Sequence, residues 1–158
     1  MKIMIFTEGT LTMPSIGMNV SSKERVKQVQ DGLPEVDNFE TYIPVGNAVN
    51  KLKAWQKQGL EICYLTSRKL PEEVAMVRKT LKKYDFPDGE VFFRNSNEQY
   101  KDVAERVLPD ILIEDDCESI GGEIEMTYPH ISPELKKKIK SITVREFGGI
   151  DHLPDKLF

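Results

Sequence analysis

The sequence has few of the features that mark secreted, membrane or nucleic-acid-binding proteins. Its 158 residues include only two cysteines, Cys63 and Cys117, which do not make a disulfide framework. No apolar run approaches the length of a membrane span, and the first residues are too short for a secretion signal. A net charge of −4 offers no general attraction to nucleic acids or anionic membranes. These absences favour a soluble, cytoplasmic protein with no nucleic-acid or membrane partner.

What the chain does contain is ordinary for a globular protein. Apolar residues make up 39% and charged residues 30% of the sequence, and the length suits one domain over residues 1–158. The two histidines, His130 and His152, have no metal-ligand spacing to each other or to a cysteine, so we interpret both as structural or exposed. The basic run "LKKKIK" (135–140) is interpreted as the solvated face of a helix.

Short apolar runs alternate with segments of helical periodicity. Helical periodicity appears over 45–55, from Pro71 to 84, and over 100–108, and strands that alternate with such helices indicate crossover connections. The sequence therefore predicts an α/β fold with a mainly parallel sheet covered by helices on both faces. The predicted strands are "KIMIF" (2–6), "EICYL" (61–65), "VFF" (91–93), "DILI" (110–113) and "SITV" (141–144).

One long segment, residues 12–42, interrupts this alternation after the first strand. It carries Pro14, Gly17, Gly32 and Pro34 as helix breakers, and Ser21 with Glu24 forms a plausible capping box for one short helix. An insertion at this point hangs over the carboxyl ends of the strands, where ligands bind in open α/β sheets. We interpret 12–42 as a small cap or flap.

Polar residues follow the end of each of the first four predicted strands. Because the carboxyl ends of parallel strands meet at one edge of a sheet, we expect these residues to converge. Carboxylates bind a hard cation such as Mg²⁺, a hydroxyl with backbone amides holds a phosphoryl oxygen, and a lysine offsets negative charge. The groups are "TEGT" (7–10), "TSR" (66–68), "RNSN" (94–97) with Lys101, and "EDD" (114–116).

This set of motifs resembles the haloacid dehalogenase superfamily of phosphatases and phosphotransferases. The family's first motif, D-x-D-G-[TS], aligns with "FTEGT", and its second, a strand ending in Thr or Ser, aligns with "CYLTSR". Its third motif is a lysine near a helix start, matched by Lys101, and its fourth is an acidic pair after a strand, matched by "ILIEDD". The resemblance covers most of residues 1–120 and implies a Rossmann-like three-layer sandwich.

The resemblance also implies roles for individual residues. It implies a small phosphorylated ligand or anion as partner and Mg²⁺ as cofactor, which we expect to bind weakly. The implied phosphate-binding residues are Gly9, Thr10, Thr66, Ser67 and Lys101, the implied metal ligands are Glu8, Asp115 and Asp116, and the implied catalytic residues are Glu8 and Lys101.

The first motif departs from the family at its most important position. The family's first aspartate attacks the phosphoryl group, but here that position holds Phe6, which can neither attack phosphorus nor ligate Mg²⁺. The second aspartate is replaced by the longer Glu8. Covalent phosphoryl transfer is therefore predicted to be impaired, and whether the protein is an enzyme stays open.

Three functions remain compatible with the sequence. The first is a phosphatase-fold protein that keeps a phosphate- or anion-binding cleft without covalent catalysis. The second is an active, metal-assisted phosphohydrolase that uses Glu8 and Asp115. The third is a non-catalytic scaffold that binds another protein or a second copy of itself.

Overall fold

A parallel five-stranded sheet forms the centre of the protein. The computed structural model describes residues 1–158, and the strands of the sheet lie in the order β5-β4-β1-β6-β7, with every neighbouring pair parallel. This arrangement confirms the predicted α/β, Rossmann-like fold. The strands are β1 (Lys2–Phe6), β4 (Glu61–Leu65), β5 (Val91–Phe92), β6 (Ile111–Asp115) and β7 (Lys140–Val144), and a separate pair comprises β2 (Thr12–Met13) and β3 (Ile43–Pro44).

Helices cover both faces of the sheet because successive strand residues point to opposite faces. The helices are α1 (Ser22–Gln30), α2 (Ala48–Lys57), α3 (Pro71–Lys83), α4 (Tyr100–Val107) and the short α5 (Pro133–Lys136). In β1, Ile3 and Ile5 pack in one apolar cluster with α2 and α3, whereas Met4 and Phe6 pack in a second cluster with α4. None of them combines the length and the apolar character that crossing a membrane requires.

The insertion after β1 is held over the carboxyl edge of the sheet. Its helix α1 begins with the predicted capping box, in which the Ser21 hydroxyl accepts from the Glu24 amide and the Glu24 carboxylate accepts from the Ser21 amide. Arg25, on α1, donates to the carbonyl oxygens of Gly17 (2.8 Å) and Phe147 (2.7 Å). The second bond ties the insertion to the segment that follows the last strand.

Two local predictions differ from the structure. The strand expected over 110–113 runs from Ile111 to Asp115, so Glu114 and Asp115 belong to β6 itself and are buried. The run "LKKKIK" is not one solvated helix face, because α5 ends at Lys136 and β7 begins at Lys140. The buried Ile139 between them packs in the apolar cluster under α4. Tertiary packing of this apolar residue has overridden the helical appearance of the lysines.

Candidate active site

A cleft of about 140 Å³ lies between the carboxyl edge of the sheet and the insertion. The insertion covers it with Val29, Val36 and Tyr42, while strand ends and the loops after them form the floor. Among the floor residues are Phe6, Glu8, Gly9, Ser67, Arg68, Tyr100, Asp115, Cys117, Ser119 and Glu146. The convergence predicted for the ends of β1, β4 and β6 is therefore present in the structure.

The Glu8 carboxylate is held by the residues that follow β4. Its Oε1 accepts from the Thr66 hydroxyl (2.6 Å), the Ser67 amide (3.1 Å) and the Ser67 hydroxyl (2.7 Å). The Arg68 amide donates to the Thr66 hydroxyl oxygen (3.2 Å) and leaves that hydroxyl free to donate to Glu8. These donors form an anion cradle, which we define as Thr66, Ser67 and Arg68.

The fit of Glu8 in the anion cradle is incomplete. Its second oxygen, Oε2, is buried and has no hydrogen-bond partner. The Nε of Arg68 lies 3.5 Å from Oε1, close enough for an ion pair, yet it makes no hydrogen bond. The Arg68 guanidinium stacks on the ring of Phe39 from the insertion, 3.4 Å from its centroid, which fixes the positive charge beside Glu8.

Phe6, at the position where the family resemblance implies a carboxylate, forms an aromatic pair with Tyr100. Phe6 is 9% exposed and meets Tyr100, the first residue of α4, edge to face with ring centroids 4.9 Å apart. Lys101 does not line this cleft: its Nζ lies 3.2 Å from Asp102 and it lines a separate cavity. The residue of α4 that faces the cleft is Tyr100.

Asp115 fixes the loop after β1. Its Oδ1 accepts from the Thr10 hydroxyl (2.8 Å) and its Oδ2 accepts from the Cys117 amide (3.1 Å). Gly9 passes close to the same carboxylate with φ +89°, and a Cβ there would stand 2.7 Å from Oδ1. Glycine is therefore required at this position for both its backbone conformation and its size.

Burial controls the acid–base state of this region. The pKa of Asp115 is raised to about 7, chiefly because the carboxyl group is buried and secondly because Glu146 is nearby, while the Thr10 hydrogen bond opposes the shift. Burial also raises the pKa of Glu146, against the Ser119 hydrogen bonds. The pKa of Cys117 is raised well above its usual range by burial and by surrounding carboxylates, which disfavours the thiolate form that acts as a nucleophile.

Three carboxylates form an acidic cluster that could hold a metal ion. Ligand atoms of Asp115, Asp116 and Glu146 lie within 4.8 Å of one another. Oxygen donors of this kind suit Mg²⁺, although these carboxylates already accept hydrogen bonds from Thr10, Cys117, Glu118, Ser119 and the Glu146 amide. The donor set thus fits a divalent cation in chemical type, and binding must compete with existing hydrogen bonds.

The structure separates the predicted site residues into groups. Glu8, Thr66 and Ser67 meet at the anion cradle, and Gly9, Thr10, Asp115 and Asp116 lie at the acidic cluster. The Glu8 side chain does not belong to the acidic cluster, where Glu146 takes its place, and Lys101 lies elsewhere. Sequence reasoning missed Tyr100 and Glu146. Glu146 follows the end of β7 by two residues, so extending the strand-end rule to the last strand would have found it.

We expect Mg²⁺ to bind weakly, with a dissociation constant of about 1 mM or higher, because Phe6 supplies no oxygen and the neighbouring carboxylates are already hydrogen bonded. Isothermal titration calorimetry on the parent and on Asp115→Asn measures this. Micromolar affinity that Asp115→Asn abolishes would contradict the expectation and support metal-assisted hydrolysis.

Comparison with known proteins agrees with this architecture. Neither a protein-family model nor a curated protein sequence matches the chain. The structure is similar to that of the class C acid phosphatase from Bacillus anthracis with tungstate bound, at 14% identity and a TM-score of 0.58, over 94% of this chain and 68% of that one. It is also similar to a chain of the Pnkp1/Rnl/Hen1 RNA repair complex, at 15% identity and a TM-score of 0.53, over 91% of this chain and 43% of that one. The likeness shows that the protein shares the fold of these solved structures.

Proposed function

We propose that this protein binds a phosphorylated ligand or a free tetrahedral oxyanion at the anion cradle and does not form an aspartyl-phosphate. The observation that carries the proposal is the set of donors on Glu8. The Thr66 hydroxyl, the Ser67 amide and the Ser67 hydroxyl all point at one anionic oxygen, with the Arg68 charge beside it. Such convergent donors with a nearby guanidinium are the means by which proteins hold phosphoryl oxygens.

Glu8 is the occupant of the anion cradle when no ligand is bound, and it is an imperfect one. Leaving the buried Oε2 without a partner costs about 1–3 kcal/mol, and the Arg68 Nε beside it is also without a hydrogen bond. A phosphate group has more oxygens than a carboxylate, so it can also accept from the Arg68 Nε, which makes no hydrogen bond to Glu8. A phosphorylated ligand that displaces the Glu8 side chain therefore gains bonds that the empty protein lacks.

The tungstate bound to the Bacillus anthracis phosphatase supports an oxyanion as the ligand class. Tungstate is tetrahedral, as phosphate is, and the two proteins share a fold.

Covalent catalysis is not expected, since Phe6 replaces the attacking carboxylate and packs against Tyr100. Glu8 is a poor substitute, because it already accepts three hydrogen bonds in the place where we expect the phosphate group. A group cannot occupy the phosphate position and also attack from the opposite side.

Metal-assisted hydrolysis is a second candidate, favoured by the acidic cluster of Asp115, Asp116 and Glu146. A divalent cation held there would offset the charge of a bound phosphoryl oxygen. This candidate requires phosphomonoester turnover that depends on Mg²⁺ and is lost in Asp115→Asn. The third possibility, a scaffold that binds protein, requires that neither phosphate nor metal binds.

Removing the carboxylate with Glu8→Ala should tighten the binding of inorganic phosphate or tungstate at least about tenfold, because it empties the anion cradle and removes a like charge. Calorimetric titration of each anion into the parent and the variant measures the change. Glu8→Ala combined with Ser67→Ala should lose much of the gain, because the Ser67 hydroxyl is removed and residue 67 keeps only its amide as a donor.

Glu134→Ala is the matched control, since Glu134 is an exposed carboxylate on α5 that pairs only with Lys137. It should leave anion affinity unchanged. If Glu8→Ala binds phosphate no more tightly than the parent and Glu134→Ala do, the anion cradle is not a phosphate site and the proposal is wrong.

A further inference from the structure

A second cavity, of about 360 Å³, adjoins the cleft on the α4 side. We call it the Lys101 cavity; its lining includes Arg94, Tyr100, Lys101, Glu125 and His130. Tyr100 and Glu125 also line the cleft, so the two spaces are neighbours that share a wall.

Two cationic side chains, Arg94 and Lys101, line the Lys101 cavity, together with one carboxylate, Glu125. Lys101 is steadied by Asp102, which lies 3.2 Å from Nζ and is itself fixed by the Gln99 amide at the start of α4. That contact uses one of the three ammonium N–H groups and leaves two for a ligand.

Arg94 has unused donors and a fixed position. Its guanidinium stacks on Tyr100, 4.0 Å from the ring centroid, and one Nη2 donates to the Ser67 carbonyl at 3.0 Å. Its Nε is buried with no partner. The Arg94 guanidinium thus contacts the loop of the anion cradle and also lines the Lys101 cavity, so its charge lies between the two spaces.

His130 lines the Lys101 cavity and is fixed there by one hydrogen bond. Its Nε2 lies 2.9 Å from the Ile124 carbonyl oxygen, which can only accept, so Nε2 carries the proton and donates to Ile124. In this tautomer Nδ1 is an acceptor, so His130 serves as a reporter for the cavity, and the donors for an oxyanion are those of Arg94 and Lys101.

We propose that the Lys101 cavity is a second oxyanion site, which holds the second acidic group of a ligand that carries two phosphate groups. The proposal that one ligand places a phosphate group in each site rests on the proposed function of the anion cradle. Binding of an oxyanion in the Lys101 cavity does not depend on that function. The site selects ligands with two separated negative groups over simple monophosphates, because Lys101 lines the Lys101 cavity and not the cleft, so a single phosphate at Ser67 leaves its charge unused.

The two histidines give an NMR test of the Lys101 cavity, with His130 as the reporter and His152 as the control. His130 lines the Lys101 cavity, whereas His152 is exposed on the C-terminal segment that packs against α2, on the other face of the sheet. Titration of inorganic phosphate and of fructose 1,6-bisphosphate should shift the His130 ring signals saturably and leave those of His152 unchanged. The bisphosphate should bind at least about tenfold more tightly than phosphate.

Lys101→Met keeps the length of the side chain and removes the charge. It should weaken the His130 response to either probe at least about tenfold, while Lys137→Met, at an exposed lysine of the α5 region, should not. Repeating the titrations in Glu8→Ala separates the proposals. If Glu8→Ala raises the affinity for phosphate but phosphate does not shift the His130 ring signals, the proposal of a second site is wrong and the anion cradle is supported. Equal shifts at His130 and His152, or an unchanged response in Lys101→Met, would also overturn it.

Discussion

Phe6→Asp is expected to lower the free energy of unfolding by about 3–5 kcal/mol in metal-free buffer. The substitution removes a ring that packs against Tyr100 in the cluster under α4, and it places a carboxylate in a cleft that already contains Glu8, Asp115 and Glu146. Chemical denaturation of the parent, Phe6→Asp and Phe6→Leu measures the loss. Phe6→Leu removes the aromatic contact alone and should cost much less, because it introduces no charge.

Mg²⁺ should recover part of this loss, because the new carboxylate completes an oxygen-rich site beside Asp115. Recovery in Phe6→Asp without a similar effect on Phe6→Leu is the expected pattern. A Phe6→Asp variant as stable as Phe6→Leu in EDTA would contradict the burial of the Phe6 ring.

The double substitution Phe6→Asp with Glu8→Asp should produce slow, Mg²⁺-dependent hydrolysis of p-nitrophenyl phosphate, measurable above the parent. It recreates the family's first motif, and the shorter side chain at position 8 no longer fills the anion cradle at Thr66 and Ser67. Turnover should stay slow, since Lys101 does not line the cleft.

Phe6→Asn with Glu8→Asp is the matched control, because it keeps the shape and lacks the nucleophile. If the Asp and Asn versions fold equally well and are equally inactive, the cleft has diverged beyond phosphoryl transfer and the scaffold becomes the better hypothesis.

The stability of the parent is expected to fall as pH rises from about 4 to about 7, with Asp115 as a main cause. A carboxyl group titrates near 3.9 in an unfolded chain, and the fold raises the pKa of Asp115 to about 7. Between these pH values the folded state binds more protons than the unfolded state. The contribution of Asp115 to the free energy of unfolding is therefore fully present below about pH 3.9 and is lost progressively as the pH rises to about 7. The full difference corresponds to about 4 kcal/mol.

Asp115→Asn should flatten this dependence, because the amide does not titrate. Denaturation in EDTA at a series of pH values between 4.5 and 8 gives the two curves, and Asp88→Asn, at an exposed acid away from the cleft, is the control. Glu114 and Glu146 have raised pKa values too, so a residual slope of the same sign should persist in Asp115→Asn. Parallel curves for the parent and Asp115→Asn would refute the assignment.

The fold could be predicted from local sequence patterns. Short apolar runs indicated the five strands of the sheet, and segments of helical periodicity between them indicated α2, α3 and α4, because burial of these elements requires apolar residues at those spacings. The same reading located Glu8, Gly9, Thr66 and Asp115 at one edge, since the carboxyl ends of parallel strands must coincide. The prediction that Phe6 stands where a nucleophilic aspartate is expected came from the resemblance to the haloacid dehalogenase superfamily, and it stays a prediction.

Only the tertiary structure decided how those side chains are used. Tyr100 and Lys101 are adjacent in sequence, but neighbours on a helix point about 100° apart, so spacing did not fix which of them faces the cleft. Glu8 reaches Thr66 across the sheet edge, and Glu146 reaches Asp115 from the far end of the chain. Contacts between residues so distant in sequence depend on strand order and side-chain reach, neither of which a local pattern encodes.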